Sequence, residues 1–189
     1  MNDKKDQEKK VIVGIQHALN AHDYKSIHTK IEELKTTGKP GILPYLLDLL
    51  NTDCPETIKQ DVLLLTGDLK DQGCVQILVD YIRNRKVGGH ISQLIAACWQ
   101  SSLDFSDELE TFAESFVAGN YQTALESFTV IEEMLWRAKL ETISSNRLFL
   151  AGRVSEIDPE KMALFNELLK ILGEGKTANS EDYPDLYLN

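Results

Sequence analysis

The sequence is short of several features that define common protein classes. It has three cysteines, five prolines and eleven glycines in 189 residues, which excludes disulfide-rich, collagen-like and low-complexity proteins. No apolar run approaches the roughly 20 residues that a membrane-spanning helix needs. Nothing after Met1 resembles a signal peptide. The sequence therefore predicts a folded, soluble, cytoplasmic protein without membrane association.

Metal-binding and nucleophile motifs are missing too. The cysteines are Cys54, Cys74 and Cys98. They lie 20 and 24 residues apart without a C-x-x-C pair, which predicts reduced thiols rather than a zinc site. His17, His22 and His28 are 5 and 6 residues apart, whereas ligands on one helical face need a spacing of 3 or 4. We expect no metal, no cofactor and no catalytic residue, and the sequence leans against an enzyme.

Basic residues are scarce in the middle of the chain. The whole sequence has 20 Lys and Arg against 30 Asp and Glu, and residues 41–134 hold 15 of the acids and only 5 of the bases. Acidic clusters such as Asp107-Glu108-Glu110-Glu114 are interpreted as solvated helix faces. A net acidic surface repels phosphate, and the one dense basic cluster is Arg83-Asn-Arg85-Lys86. We therefore expect no nucleic-acid partner.

What the sequence does have is an apolar pattern that recurs about every 33 residues. The copies place apolar residues at i, i+3, i+4 and i+7, or at successive steps of 4 and 3 residues, the stripe of an amphipathic helix. Two such series interleave, starting at Leu43, Val75 and Leu109 in one and at Ile27, Ile58, Ile91 and Ala124 in the other. Glycines, prolines and asparagines fall between the stripes. The pattern predicts stacked two-helix hairpins and no strands.

Three segments resemble HEAT repeats, in the short form of the phycobilisome-lyase-like subgroup. They are Pro44-Tyr-Leu-Leu-Asp-Leu-Leu-Asn51, Ile58-Lys-Gln-Asp-Val-Leu-Leu-Leu-Thr-Gly-Asp-Leu69 and Gly73-Cys-Val-Gln-Ile-Leu-Val-Asp80. In that family a proline opens the second helix and paired leucines follow, as at Pro44. Ile58-Lys59 takes the place of the family's Val-Arg. The resemblance covers residues 25–118 and fits armadillo-like repeats equally well. It implies an all-α, right-handed α-solenoid of stacked two-helix repeats with helical caps.

Both ends depart from the repeat. We expect a charged N-terminal segment at residues 1–10, the superhelical domain at 11–172 and a flexible acidic tail at 173–189. Asn146 and Arg147 stand where the next stripe should be apolar, so the array is predicted to end after Trp136. Trp99 and Trp136 are predicted to pack in the core. A last helix is predicted to follow Asp158-Pro159 and to end before Gly173.

One motif near the C-terminus is a false lead. Gly173-Glu-Gly175-Lys176-Thr177 is similar to the end of a phosphate-binding loop, but Lys170 stands where that loop needs its first glycine. No strand is predicted before it, and we interpret Gly173 as the end of a helix.

The candidate binding residues follow from the resemblance. In HEAT-like stacks the second helices line the concave face, and here an acid recurs on each of them, at Asp48, Asp80 and Glu114. We expect a protein-binding or scaffold module that presents an acidic concave groove to a basic or extended segment of another protein. The alternative is a small-molecule or nucleic-acid-modifying enzyme on the same scaffold, which needs a carboxyl group with a raised pKa in an apolar pocket. A third hypothesis makes Tyr183-Pro-Asp-Leu-Tyr187 a peptide ligand for self-association through the tail.

Overall fold

The computed structural model describes the backbone of residues 2–37, 40–84 and 88–181. The chain divides into two compact units, residues 1–103 and 104–189. Throughout the described ranges the regular elements are helices and no strand occurs, which confirms the predicted all-α class. None of the described helices is both long and apolar enough to cross a membrane.

Six α-helices lie in the described residues of the first unit. They are α1 (Asn2–Asn20), α2 (Tyr24–Thr37), α3 (Leu43–Leu49), α4 (Glu56–Gly67), α5 (Val75–Arg83) and α6 (Ile91–Gln100). Short 3₁₀ turns at Pro40–Ile42, Gln72–Cys74 and Gly88–His90 lead into α3, α5 and α6. Pro44 lies in the first turn of α3, where its missing N–H has no helical partner to lose. The charged run that begins at Asp3 is part of α1 rather than a segment apart from it.

The predicted stripes form the core of this unit. On α3 all four stripe positions are buried, and on α5 the last three are. The buried residues are Leu43, Leu46, Leu47 and Leu50, followed by Leu78, Val79 and Ile82. Helix α4 contacts both α2 and α6, and it buries Ile58, Val62 and Leu65. The apolar residues that recur with the helical period of 3.6 residues thus lie on one face of each helix, and that face is buried.

The turn between α1 and α2 contains a strained residue. His22 has a φ of 54°, a left-handed conformation that side chains with a Cβ rarely adopt. The Asp23 amide donates to the Ala18 carbonyl at 2.8 Å, which closes the end of α1. Asp23 then caps α2 by accepting hydrogen bonds from the Ser26 amide at 3.1 Å and its hydroxyl at 2.6 Å. These two bonds hold the pKa of the Asp23 carboxyl below its ordinary value.

In the second unit, residues 104–181 are described and form four α-helices. They are α7 (Leu109–Ala118), α8 (Tyr121–Met134), α9 (Leu140–Ala151) and α10 (Met162–Glu181). Helix α7 packs on α8 and α9, and α10 packs on α9 and α8. Phe105 meets Phe112 edge to face at a ring separation of 5.5 Å. Asn120 caps α8 by accepting the Thr123 amide at 2.9 Å, as the Gly-Asn pair before that helix suggests.

A fully buried lysine joins the start of α10 to the end of α7. Lys161 is 0 % exposed, and its Nζ donates to the carbonyls of Phe116 at 3.2 Å, Val117 at 2.8 Å and Gly119 at 2.8 Å. An ammonium group has three N–H donors, and all three are used. The last carbonyls of a helix have no partner inside the helix. Lys161 therefore supplies the cap that the sequence of α7 lacks.

Beyond Trp136, where the array is predicted to end, α9 forms and buries Ile143, Asn146 and Leu150. Two sequence predictions for this unit are wrong. Helix α10 continues through Gly173 and Gly175 to Glu181, and each interior glycine costs only about 1 kcal/mol. Trp136 is 69 % exposed with the Arg137 guanidinium 4.3 Å from its ring, so it is not a core residue. In the first unit Trp99 is likewise 37 % exposed.

Candidate functional site

The three predicted acids all lie at exposed positions. Asp48 is on α3, Asp80 on α5 and Glu114 on α7, each preceded by a buried stripe residue. Asp48 and Asp80 belong to the first unit, on two helices in contact with each other. Glu114 belongs to the second unit, one helical turn after Glu110. All three carboxylates are therefore open to solvent.

Asp48 is held in place by a tyrosine of the next hairpin. The Tyr81 hydroxyl donates to Asp48 Oδ1 at 2.6 Å and also lies 2.9 Å from the Pro44 carbonyl oxygen. Burial of the phenol, together with the hydrogen bond to Asp48 and its negative charge, raises the pKa of Tyr81. Tyr81 therefore stays neutral and acts as a donor. It follows Asp48 by 33 residues, the period of the sequence repeat.

Asp80 is braced within its own helix. Its Oδ1 accepts a hydrogen bond from Gln76 Nε2 at 3.1 Å, and Asn84 Nδ2 donates to its backbone carbonyl at 2.6 Å. Both contacts span four residues, the spacing that aligns side chains on one helical face. The carboxylate is thus oriented while it remains open to solvent.

A groove with an acidic wall lies between α7 and α9. It has a volume of about 360 Å³ and is lined by Asp107, Glu110, Glu141, Thr142, Ser145 and Asn146. A smaller hollow of about 90 Å³ shares Glu110, Ser145 and Asn146 with it and reaches Phe149. Three carboxylates, an amide and two hydroxyl groups therefore face one space. That set of acceptors suits a cationic ligand.

Asn146 is the buried member of this groove. It is 3 % exposed, and its Nδ2 donates to the Thr142 carbonyl at 2.8 Å, which fixes the orientation of the amide. Its Oδ1 is buried and accepts no hydrogen bond from the described residues. Buried acceptors in native proteins nearly always have a donor, so this atom is an exception that needs a physical reason.

The charges of the groove are only partly compensated. Lys139 Nζ lies 3.2 Å from Asp107 Oδ1, but both side chains are at least 70 % exposed, so this pair contributes at most about 1 kcal/mol. Glu110 and Glu141 are exposed and make no hydrogen bond or ion pair with any residue in the described part of the chain. The groove therefore keeps two carboxylates available.

Comparisons with known proteins give no match for this chain among family models, curated proteins or solved structures.

The other chemistry-bearing residues serve local structure. His28 Nδ1 lies 2.6 Å from Asp61 Oδ2, a pair that links α2 to α4 and again spans 33 residues. Within the described ranges no group of three or more His, Cys, Asp or Glu side chains could hold a metal ion. The three cysteines are buried and unpaired, and burial together with the charge of Asp71 raises the pKa of the Cys74 thiol to about 11.

The carboxyl groups with displaced pKa values do not favour acid catalysis. Burial of Asp104 is outweighed by hydrogen bonds from Ser106 and by the charge of Arg137, so the pKa of Asp104 falls below its ordinary value. The pKa of Asp23 is lowered as well. A general acid needs a displacement in the opposite direction. The enzyme alternative thus gains no support from either group.

The candidate binding residues named from the sequence are only partly described by the structure. Tyr183 and Tyr187 lie outside the described residues. Glu141 and Asn146 were missed as binding residues, because Asn146 was interpreted as the end of the array. The available signal was its register, since it follows Phe112 of α7 by 34 residues.

Proposed function

We propose that the chain is a protein-binding module of stacked HEAT-like repeats, a right-handed α-solenoid whose second helices present acids to a basic or extended segment of another protein. One observation carries the proposal. On α3, α5 and α7 a carboxylate recurs at the exposed position inside the buried stripe, at Asp48, Asp80 and Glu114. In the proposed role the chain acts in the cytoplasm, where its three buried thiols stay reduced.

Contacts within the first unit support a repeated arrangement. Tyr81 reaches Asp48, and His28 reaches Asp61, in both cases across 33 residues. Side chains one period apart meet when consecutive hairpins stack in the same register. Asp48 and Asp80, at one register position on two contacting helices of the first unit, would then give an extended segment charged anchors, and charge complementarity of this kind selects partners and speeds association.

The proposal is tested with charge-neutralising variants that keep the shape of each side chain. The triple variant Asp48→Asn, Asp80→Asn and Glu114→Gln keeps an acceptor for the Tyr81 hydroxyl. The probe is a fluorescent peptide in which arginine alternates with serine and glycine, measured by anisotropy at low and high salt. Three exposed charge pairs at about 0.2–1 kcal/mol each predict a loss of affinity of roughly tenfold.

A matched triple separates this surface from net charge. Asp53→Asn, Asp68→Asn and Glu133→Gln remove the same charge from other exposed positions. We expect this control to bind the peptide within about twofold of wild type, as surface substitutions far from a site do. Equal losses in both triples would show that only net charge attracts the peptide. Unchanged binding in the first triple would remove these acids from the proposal.

A further inference from the structure

Asn146 occupies a register position that is otherwise apolar. The second position of the stripe is Leu46 on α3, Leu78 on α5 and Phe112 on α7, and each is at most 1 % exposed. On α9 the same position is Asn146, at 3 % exposed. An amide buried in place of a leucine or phenylalanine costs stability unless both of its ends are hydrogen-bonded.

Half of that amide is unsatisfied. Nδ2 is bonded to the Thr142 carbonyl, and this bond excludes the flipped orientation because a carbonyl oxygen needs a donor. Oδ1 is left without a donor from the described residues. A ligand with an N–H group that reached Oδ1 would recover the lost hydrogen bond. The atom therefore points to a donor from outside the chain.

The groove above Asn146 supplies charge from both sides. Glu110 stands on α7 and Glu141 on α9, and both line the space of about 360 Å³. That volume is at the lower end of the range found for small-ligand sites. Asn146 lines this groove together with Glu110, and its Oδ1 is buried, so a ligand meets that atom only when neighbouring side chains shift.

We propose that this groove binds one guanidinium group, the arginine side chain of the basic partner segment. Glu110 and Glu141 are the charged acceptors, and Asn146 Oδ1 is the neutral one. A guanidinium carries five N–H donors in a rigid plane, so it serves acceptors on two walls at once, whereas an ammonium is a compact point charge. The inference rests on the proposed function and names the group of the partner that is recognised.

The test uses the full chain labelled with ¹⁵N and three defined probes. N-acetyl-arginine amide, N-acetyl-lysine amide and the neutral N-acetyl-citrulline amide are titrated while the Asn146 side-chain NH₂ resonances are followed. We expect a saturable shift with the arginine probe, a weaker one with lysine and none with citrulline. No shift with arginine, or an equal shift with citrulline, overturns the inference, since the groove then holds only water. An equal response to lysine overturns the choice of a guanidinium.

Variants assign the effect to named groups. Glu110→Gln with Glu141→Gln should weaken the arginine probe about fivefold, because two exposed charges are lost. Asn146→Leu should weaken it about tenfold while it raises the urea midpoint, because the unsatisfied acceptor is gone. The matched control is Glu132→Gln with Glu133→Gln on α8, which should bind as wild type does. Wild-type affinity in the Asn146 variant excludes the amide from the site.

The two proposals fail in different ways. If the arginine–serine–glycine peptide binds with salt sensitivity but no probe shifts Asn146, only this inference fails. The opposite outcome is that the arginine probe binds the groove while the triple variant at Asp48, Asp80 and Glu114 binds the peptide as wild type does. The proposed extended surface is then wrong, and the guanidinium site in the groove is retained.

Discussion

Replacing Lys161 by methionine is the sharpest test of what holds the second unit together. The substitution keeps a long unbranched side chain in the buried space and removes only the charged end. The carbonyls of Phe116, Val117 and Gly119 then lose their donor. Asp158 Oδ2, at 3.7 Å from Nζ, also loses its cation, but that carboxylate is 66 % exposed and water replaces the contact.

The expected loss follows from two opposing effects. One buried and two half-buried carbonyls without donors cost up to about 1–3 kcal/mol each, although the two half-buried ones will relax toward water. Against this, methionine avoids the desolvation of a buried ammonium, an effective penalty of several kcal/mol. We expect a net loss of about 2–4 kcal/mol. For a unit with a total stability of about 5–15 kcal/mol this is a large fraction, and the melting temperature should fall by roughly 10 °C or more.

Urea unfolding followed by far-ultraviolet circular dichroism measures this loss. Hydrogen exchange with mass spectrometry then shows whether the end of α7 and the start of α10 lose protection together. Lys170→Met is the matched control, because Lys170 is exposed and its Nζ lies 3.0 Å from Glu167 on its own helix. The control should change stability by less than about 0.5 kcal/mol. A Lys161→Met chain as stable as wild type would refute the reasoning, since desolvation would then cancel the three hydrogen bonds.

Three further predictions concern turns and caps. His22→Gly should raise the free energy of unfolding by about 0.5–1 kcal/mol in urea titrations, because glycine adopts the positive φ without strain; a loss of stability would show that the histidine side chain matters more. Gly119→Ala should lower it by about 1–3 kcal/mol, because a Cβ there would lie 2.5 Å from Thr123 carbons, and an unchanged urea midpoint would contradict this. Asp23 has a lowered folded pKa, so its contribution is present above its unfolded pKa near 4 and is lost as the pH falls through the folded value. Asp23→Asn should accordingly flatten the pH dependence of the urea midpoint below about pH 4, and identical profiles for the two chains would exclude this group.

The sequence predicted most helices because two periods coincide in it. The 3.6-residue period gave the buried faces of α3, α5 and α7, and the period near 33 gave their succession. Both signals are local or simply repeated, so they can be found without coordinates. Pro44 and Asn120 mark helix starts for the same reason, since their effect lies in adjacent backbone groups.

Other features depend on partners far along the chain. Lys161 follows Pro159-Glu160 and has the sequence context of a surface lysine. It is nevertheless buried, and the carbonyls that accept its hydrogen bonds lie more than 40 residues earlier in the chain. Asn146 breaks an apolar stripe, and nothing nearby in the sequence distinguishes a buried amide from the end of an array. Trp136 lies exposed in the turn that follows α8, although aromatic rings usually enter cores. The acids at Asp48 and Asp80 were predicted, whereas the groove beside Glu110 needed the packing of α7 on α9.

The lysine cap also sets an order of events during synthesis. Helix α7 leaves the ribosome with its last carbonyls unbonded, and Lys161 follows Gly119 by 42 residues. At about 5–20 residues per second that interval lasts roughly 2–8 s. During this time α7 and α8 exist as a nascent hairpin whose end is closed only by water. A chain whose synthesis stalls between Gly119 and Lys161 therefore exposes an incomplete second unit to proteases and chaperones. We expect the speed of translation between these two residues to affect the yield of folded protein.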